Sequence, residues 1–171
     1  MPIRAHLKPW VGHAIHHIPK LGDPMDFSHC GRSLDHRWNR AGERTLYMAS
    51  DKSVVLAEFS RHFEESRTKS LMDKLSERTV YNYRLKLEST LDLTNVKVVK
   101  ALSLDPQRSF LGKDICRSTA SFIRTTTPAQ AIFVHSIAFL DDSAKWCLVL
   151  FMEKLGPDIG KVILGVREIG W

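Results

Sequence analysis

The run from Thr45 to Phe63 constrains the fold most, because it passes from strand to helix with no room for a linker. Thr45 to Ala49 alternates, with Leu46 and Met48 on one face and Thr45 and Tyr47 on the other, as in a short strand. Ser50 or Asp51 then offers a side-chain oxygen to cap a helix. Val55, Leu56, Phe59 and Phe63 read as the buried side of that helix, and Glu58 falls on the margin of the stripe. The neighbours of Glu58 at three and four positions are Val54, Val55, Arg61 and His62. Just upstream, Gly31 to Gly42 is a polar loop around Arg37, Trp38 and Asn39, and Gly42 permits a turn. A loop arginine, a strand tyrosine and a helix glutamate thus fall close together. They are enough to build one wall of an anion-binding site.

At 171 residues the chain reads as one domain, 1–171, with residues 1–12 a loose basic N-terminal segment. Hydrophobic content of 43% and charged content of 26% are ordinary for a globular protein. No signal peptide and no apolar span of membrane length stands out, which places the chain in the cytoplasm and away from membranes. The three cysteines, Cys30, Cys116 and Cys147, are odd in number and widely spaced, so free thiols are expected and no zinc site. A net charge of +6, spread diffusely, fits a nucleic acid, an acidic protein or a small anion equally well.

In chain order, Trp10 to Pro19 is a first strand, on which His13 and His17 share one face and His16 points to the other. With no carboxylate close by, the three histidines do not make a metal site. Residues 66–78 suggest a surface helix, and Tyr81 to Glu88 alternates as a half-buried strand. Leu91 to Lys100 reads as a further extended piece. Asp114 to Arg124 reads as a helix burying Ile115, Thr119, Phe122 and Ile123, stopped by Pro128. Ala131 to Phe139 is a strand, Trp146 to Met152 is apolar on both faces and therefore central, and Val162 to Ile169 is the last strand. The result is an α+β domain with a mixed, largely antiparallel sheet and flanking helices.

Three segments in this order, HRWN (36–39), LYMA (46–49) and VLAEF (55–59), followed much later by Ser136 in FVHSIAFLDD (133–142), resemble the signature of the RES domain family. The resemblance runs from about His13 to Trp171. It implies the ADP-ribosyltransferase toxin fold and the NAD+-degrading toxins of bacterial toxin–antitoxin pairs. On that reading NAD+ is substrate, no cofactor is needed, and the partner is a cognate antitoxin; a homo-oligomer is also compatible. The resemblance marks Glu58, Arg37, Tyr47 and Ser136 as catalytic. Arg37, Tyr47, Asn39, Arg44 and His16 become candidate NAD+ contacts, His16 standing where many members carry an arginine. His135 replaces the usual proline before the serine.

The chemistry agrees with these residue types. Breaking the nicotinamide–ribose bond passes through an oxocarbenium-like transition state, as in glycoside hydrolysis. The leaving group departs neutral, so one carboxylate suffices to stabilise the sugar, and Glu58 supplies it. A guanidinium such as Arg37 suits a pyrophosphate. Tyr47 offers an aromatic face, and Trp38 and Asn39 shape the loop. Bland readings stand beside these: a solvated Glu58 paired with Arg61 or His62, a packed Tyr47 and a satisfied core serine. One alternative function is an ADP-ribosyltransferase that modifies a protein or nucleic acid. It lacks its usual helper acid, since Leu56 stands two residues before Glu58. The other is a basic nucleic-acid-binding module without catalysis, for which no recognition motif stands out.

Overall fold

The computed structural model describes residues 2–30, 36–64 and 70–171. Among these residues six strands form one sheet: β1 (Lys8–Pro19), β2 (Thr45–Ala49), β3 (Arg78–Asp92), β4 (Ala131–His135), β5 (Trp146–Phe151) and β6 (Ile163–Ile169). Among the described residues four α-helices accompany them: α1 (Lys52–Glu64), α2 (Leu71–Ser76), α3 (Val96–Ala101) and α4 (Lys113–Thr126). The strand order is β1-β2-β5-β4-β3-β6, and β1 also pairs with β3, so the sheet closes into a barrel with β6 as an appendage. Only β3 and β4 run parallel; the other pairings are antiparallel. The mixed helix–strand architecture and the largely antiparallel sheet agree with the sequence reading.

Closure is possible because β3 is long. Its first half pairs with β6 from Val80 to Leu85, and its last residues, Thr90 to Asp92, pair with β4. Its other edge takes β1 along nearly the whole length of that strand. The alternation in Tyr81–Glu88 then has a clear meaning. Tyr83, Leu85 and Leu87 are fully buried inside the barrel with Ala14, Leu46, Met48, Phe133, Leu148 and Leu150. The outer face of β2, β5 and β4 is equally apolar, carrying Ile132, Val134, Val149 and Phe151 under α3 and α4, and Ala49 under α1. A strand buried on both sides reads as a continuous apolar run, which is why Trp146 to Phe151 lies at the centre.

Several boundaries differ from expectation. Residues 91–100 do not stay extended: β3 ends at Asp92 and α3 begins at Val96. The side chain of Asn95 accepts from the Lys97 N–H and caps that helix. The strand after Ala131 stops at His135, so Ser136 lies just beyond its end. The N-terminal residues are not loose. Ile3 is 1% exposed in the core, and the Arg4 guanidinium donates to the Thr126 carbonyl at 3.0 Å.

Two helices are rotated from their expected phase. On α1 Val54 and Val55 are buried while Leu56 is exposed, and on α4 Cys116 and Ala120 are buried while Ile115 and Phe122 face out. The side chains of His62 and Phe63, and residues 31–35 and 65–69 of the expected loop and helix, lie outside the described residues.

Helix α1 is fixed at its start by Asp51, whose Oδ1 accepts from the Ser53 N–H at 2.8 Å and the Val54 N–H at 3.2 Å. Its other oxygen meets Lys145 Nζ at 2.7 Å. Burial disfavours the Asp51 carboxylate, but the bonds from Lys145, Ser53 and Val54 outweigh that and hold its pKa at about 2. This cap ties α1 to the chain entering β5. It sets where Glu58, two turns on, meets the sheet.

Candidate active site

The outer face of the sheet places the site residues in rows. Tyr47 pairs with Val149 and Ala49 with Cys147, and on the other side of β5 Val149 pairs with Ile132 and Cys147 with Val134. Tyr47, Cys147 and Val134 therefore share one face, and Ser136 follows Val134 past the strand end. Val54 and Val55 seat α1 against Ile15, Ala49 and Val80. The next turn carries Glu58 over this row.

The Ser136 hydroxyl donates to Glu58 Oε1 at 2.8 Å, across 78 residues of sequence. Arg61 Nη1 meets the second oxygen, Oε2, at 3.2 Å. The Glu58 side chain keeps 28% of its exposure, whereas Ser136 has none. The carboxylate is thus held from two directions and still open to the outside. On the same face of the sheet lies Cys147, and burial and the charge of Glu58 push its thiol pKa up to about 12. It stays protonated there. It is a floor for the site and not a nucleophile.

Tyr47 is half-buried and its hydroxyl is fully employed: it donates to Asn39 Oδ1 at 2.6 Å and accepts the Trp38 backbone N–H at 3.1 Å. Burial raises its pKa well above the ordinary tyrosine value. These two bonds pin the 36–40 loop onto β2. His36 adds an edge-on ring contact to Tyr47 with centroids 5.9 Å apart. Trp38 and Asn39 are 4% and 2% exposed, and the Trp38 ring packs on Phe110. Arg37 is half-buried, and its Nη1 donates to the carbonyls of Phe110 and Leu111 at 3.3 and 3.1 Å. It therefore also fastens the loop to the turn before α4.

The structure does not bring His16 or Arg44 to this face. His16 pairs with Tyr81 and points with Ala14 toward the barrel interior, its ring 6.3 Å from that of Tyr83. Burial, and then the like charges of His17 and His29, lower its pKa to about 3. The neighbouring strand face belongs to His17, whose ring lies 5.1 Å from Phe59 of α1. Arg44 is exposed, and its charge acts on the Cys30 thiol inside the barrel.

The sign of the His16 shift makes a prediction. A histidine with a depressed folded pKa contributes stability that is full above its unfolded value of about 6.5. That stability is lost as pH falls toward 3. Acid titration of the melting temperature is expected to show this slope in the wild-type protein and a flatter one in His16→Phe. An unchanged slope would show that His16 does not carry it.

Sequence reading pairs Glu58 with Arg61 only as the bland alternative, and it gives Cys147 no role at the site. Arg61 was visible as an i+3 neighbour of Glu58. Cys147 had no local signal, because only strand register brings it there.

The family model described as the RES domain matches residues 12–167. The chain belongs to the RES domain family. No curated protein matches its sequence significantly. Among solved structures, this RES domain is similar to a chain of the crystal structure of the M. tuberculosis MbcT–MbcA toxin–antitoxin complex. The TM-score is 0.70 at 15% identity, over 98% of this chain and 90% of that one. At that identity the likeness is one of fold.

Within this RES domain the Ser136–Glu58 bond makes a direct prediction. A hydrogen bond to a charged group contributes about 1.5–3 kcal/mol, so Ser136→Ala is expected to lower turnover by about 10- to 100-fold if Glu58 acts in the reaction. Ser136→Thr, which keeps the hydroxyl, is expected to retain more. Equal rates for wild type and Ser136→Ala would show that the bond does not position the carboxylate.

Proposed function

We propose that this RES domain is the toxin of a toxin–antitoxin pair and that it degrades NAD+ at the Glu58 cleft by breaking the nicotinamide–ribose bond. The observation that carries this reading is the Glu58 carboxylate, held by Ser136 and Arg61 yet open to the outside. Family membership supports it, as does a structural neighbour taken from a toxin–antitoxin complex. An ADP-ribosyltransferase-like relationship of the fold belongs to the same proposal.

In the reaction the electron pair of the C–N bond moves to the ring nitrogen, cancels its positive charge and lets nicotinamide leave neutral. Positive charge then develops on the ribose, and Glu58 stabilises it electrostatically. Ser136 and Arg61 fix the direction of the carboxylate beforehand, so little reorganisation is needed at the moment of reaction. Arg37 gives the loop wall its positive charge, suited to a pyrophosphate, and Tyr47 presents its ring because its hydroxyl is occupied. Water or phosphate adds to the sugar carbon and loses its proton. Leu56, exposed two residues before Glu58, has no acid to activate a macromolecular acceptor, which favours the small acceptors.

NAD+ incubated with the purified protein, followed by NMR with and without phosphate, tests this. Release of nicotinamide with ADP-ribose identifies a glycohydrolase, and release with its 1″-phosphate a phosphorylase. Intact NAD+ in both buffers would overturn the reading, and label passing into protein or nucleic acid would favour the transferase.

A further inference from the structure

The outer face of β6 and its neighbours carries a positively charged concavity that plays no part in the Glu58 site. Cross-strand register places His13 beside Arg84, and Arg84 beside Gly165; one step along, Ile15, Asn82 and Arg167 form the next row. Around Gly165 a concavity of about 360 Å³ is lined by His13, Asn82, Arg84, Gly165, Val166 and Arg167. A Cβ on Gly165 would meet nothing within 4 Å, so the missing side chain is what opens the floor. The His13 ring is held by Asn82 Oδ1 at 3.0 Å, Arg84 and Arg167 are exposed, and among the described residues neither arginine has a carboxylate partner. Lys86, one row beyond Arg84 opposite Val11, extends the positive strip.

β6 also has an open side. One of its edges pairs with β3, and among the described residues no strand pairs with the other. An unpaired edge presents a row of N–H and C=O groups ready to accept another extended chain. Two unpaired guanidiniums on the adjacent face would meet carboxylates on alternate residues of such a chain, since side chains of a strand project alternately.

We propose that this face and edge form a docking site for an extended acidic segment of a partner protein, which adds as a strand beside β6 and seats its carboxylates against Arg84 and Arg167. A nucleic acid fits less well. Duplex DNA carries a charge about every 1.7 Å and calls for a longer basic track than Arg84, Lys86 and Arg167 supply. The site is separate from Glu58 and stands whether or not that cleft acts on NAD+.

The test uses the full chain and a fluorescent peptide of about ten residues alternating Glu and Thr, a typical strand length. Three comparisons accompany it: the Arg84→Ala/Arg167→Ala variant, the Gly165→Val variant, and the same peptide N-methylated on one edge. The wild-type protein is expected to bind the peptide, and each of the three changes to weaken binding by at least about tenfold, equal to about 1.4 kcal/mol. Circular dichroism and NAD+ turnover should not change in the double-alanine variant, because both arginines are exposed and outside the cleft. Equal binding by that variant would overturn the proposal. So would undiminished binding of the N-methylated peptide, or a single-stranded oligonucleotide of similar charge that binds more tightly through the same arginines.

Discussion

Replacing Glu58 by glutamine is expected to lower NAD+ turnover by about a thousandfold while leaving NAD+ affinity nearly intact. The substitution keeps size, and one amide group can still meet Ser136, but the negative charge disappears. That charge matters only when the ribose becomes positive, so the loss falls on kcat and not on binding. The bond network sharpens the comparison. Arg61 loses its ion-pair partner at 3.2 Å in the same variant, but the Arg61 side chain is 42% exposed and water can replace the contact. A fall in kcat therefore reports on chemistry and not on an orphaned cation. Arg37→Ala is expected to behave differently, raising KM by about tenfold with a smaller effect on kcat, because a pyrophosphate keeps its charge throughout the reaction. Steady-state kinetics with a parallel binding titration checks both. Wild-type turnover in Glu58→Gln would remove the carboxylate from the mechanism.

Trp38→Ala is expected to destabilise the protein by about 3 kcal/mol, at the low end for removing a buried tryptophan because a loop can relax around the space. For a chain of this length that corresponds to a fall of about 6–12 °C in melting temperature. The indole is 4% exposed, packs against Phe110, and belongs to the cluster beneath α4 that includes Cys116, Ala120 and Ile123. Its backbone N–H also holds the Tyr47 hydroxyl. Loosening this anchor should release Arg37 from the Phe110 and Leu111 carbonyls, so KM for NAD+ should rise together with the loss of stability. Trp38→Phe is expected to recover part of both. Calorimetry and kinetics on the same samples decide. A stable Trp38→Ala protein with unchanged KM would mean that the loop does not depend on its tryptophan.

What the sequence could show was set by period and capping. The alternation of Thr45–Ala49 assigned Tyr47 and Met48 to the correct faces, and the aspartate before Lys52 marked the start of α1. The same alternation separated His16 from His17, yet it could not say which face was the barrel interior. That depends on β1 pairing with β3, far along the chain, as His16 does with Tyr81. Helix phase was harder. A rotation of about 100° per residue turns a small misjudgement into an exchange of Val54 for Leu56, or of Cys116 and Ala120 for Ile115 and Phe122. The valines after Asn95 looked extended because β-branched residues favour strands, and the short helical cap was the overlooked signal. Glu58 and Ser136 were paired through a family resemblance; nothing local links them. Arg37 and Tyr47 suit ligand contact by their chemistry; in the fold Tyr47 bonds to the 36–40 loop and Arg37 to the Phe110 and Leu111 carbonyls.

The central claim is that NAD+ is bound and cleaved against Glu58 on the outer face of the β2–β5–β4 sheet. The most direct measurement is a crystal structure of the Glu58→Gln protein with NAD+, in which slow turnover preserves the ligand. The account predicts the nicotinamide ribose against position 58, the nicotinamide near the Tyr47 ring and the pyrophosphate toward Arg37. NAD+ seated instead at the barrel interior beside His16, or at the concavity around Gly165, with position 58 untouched, would contradict it.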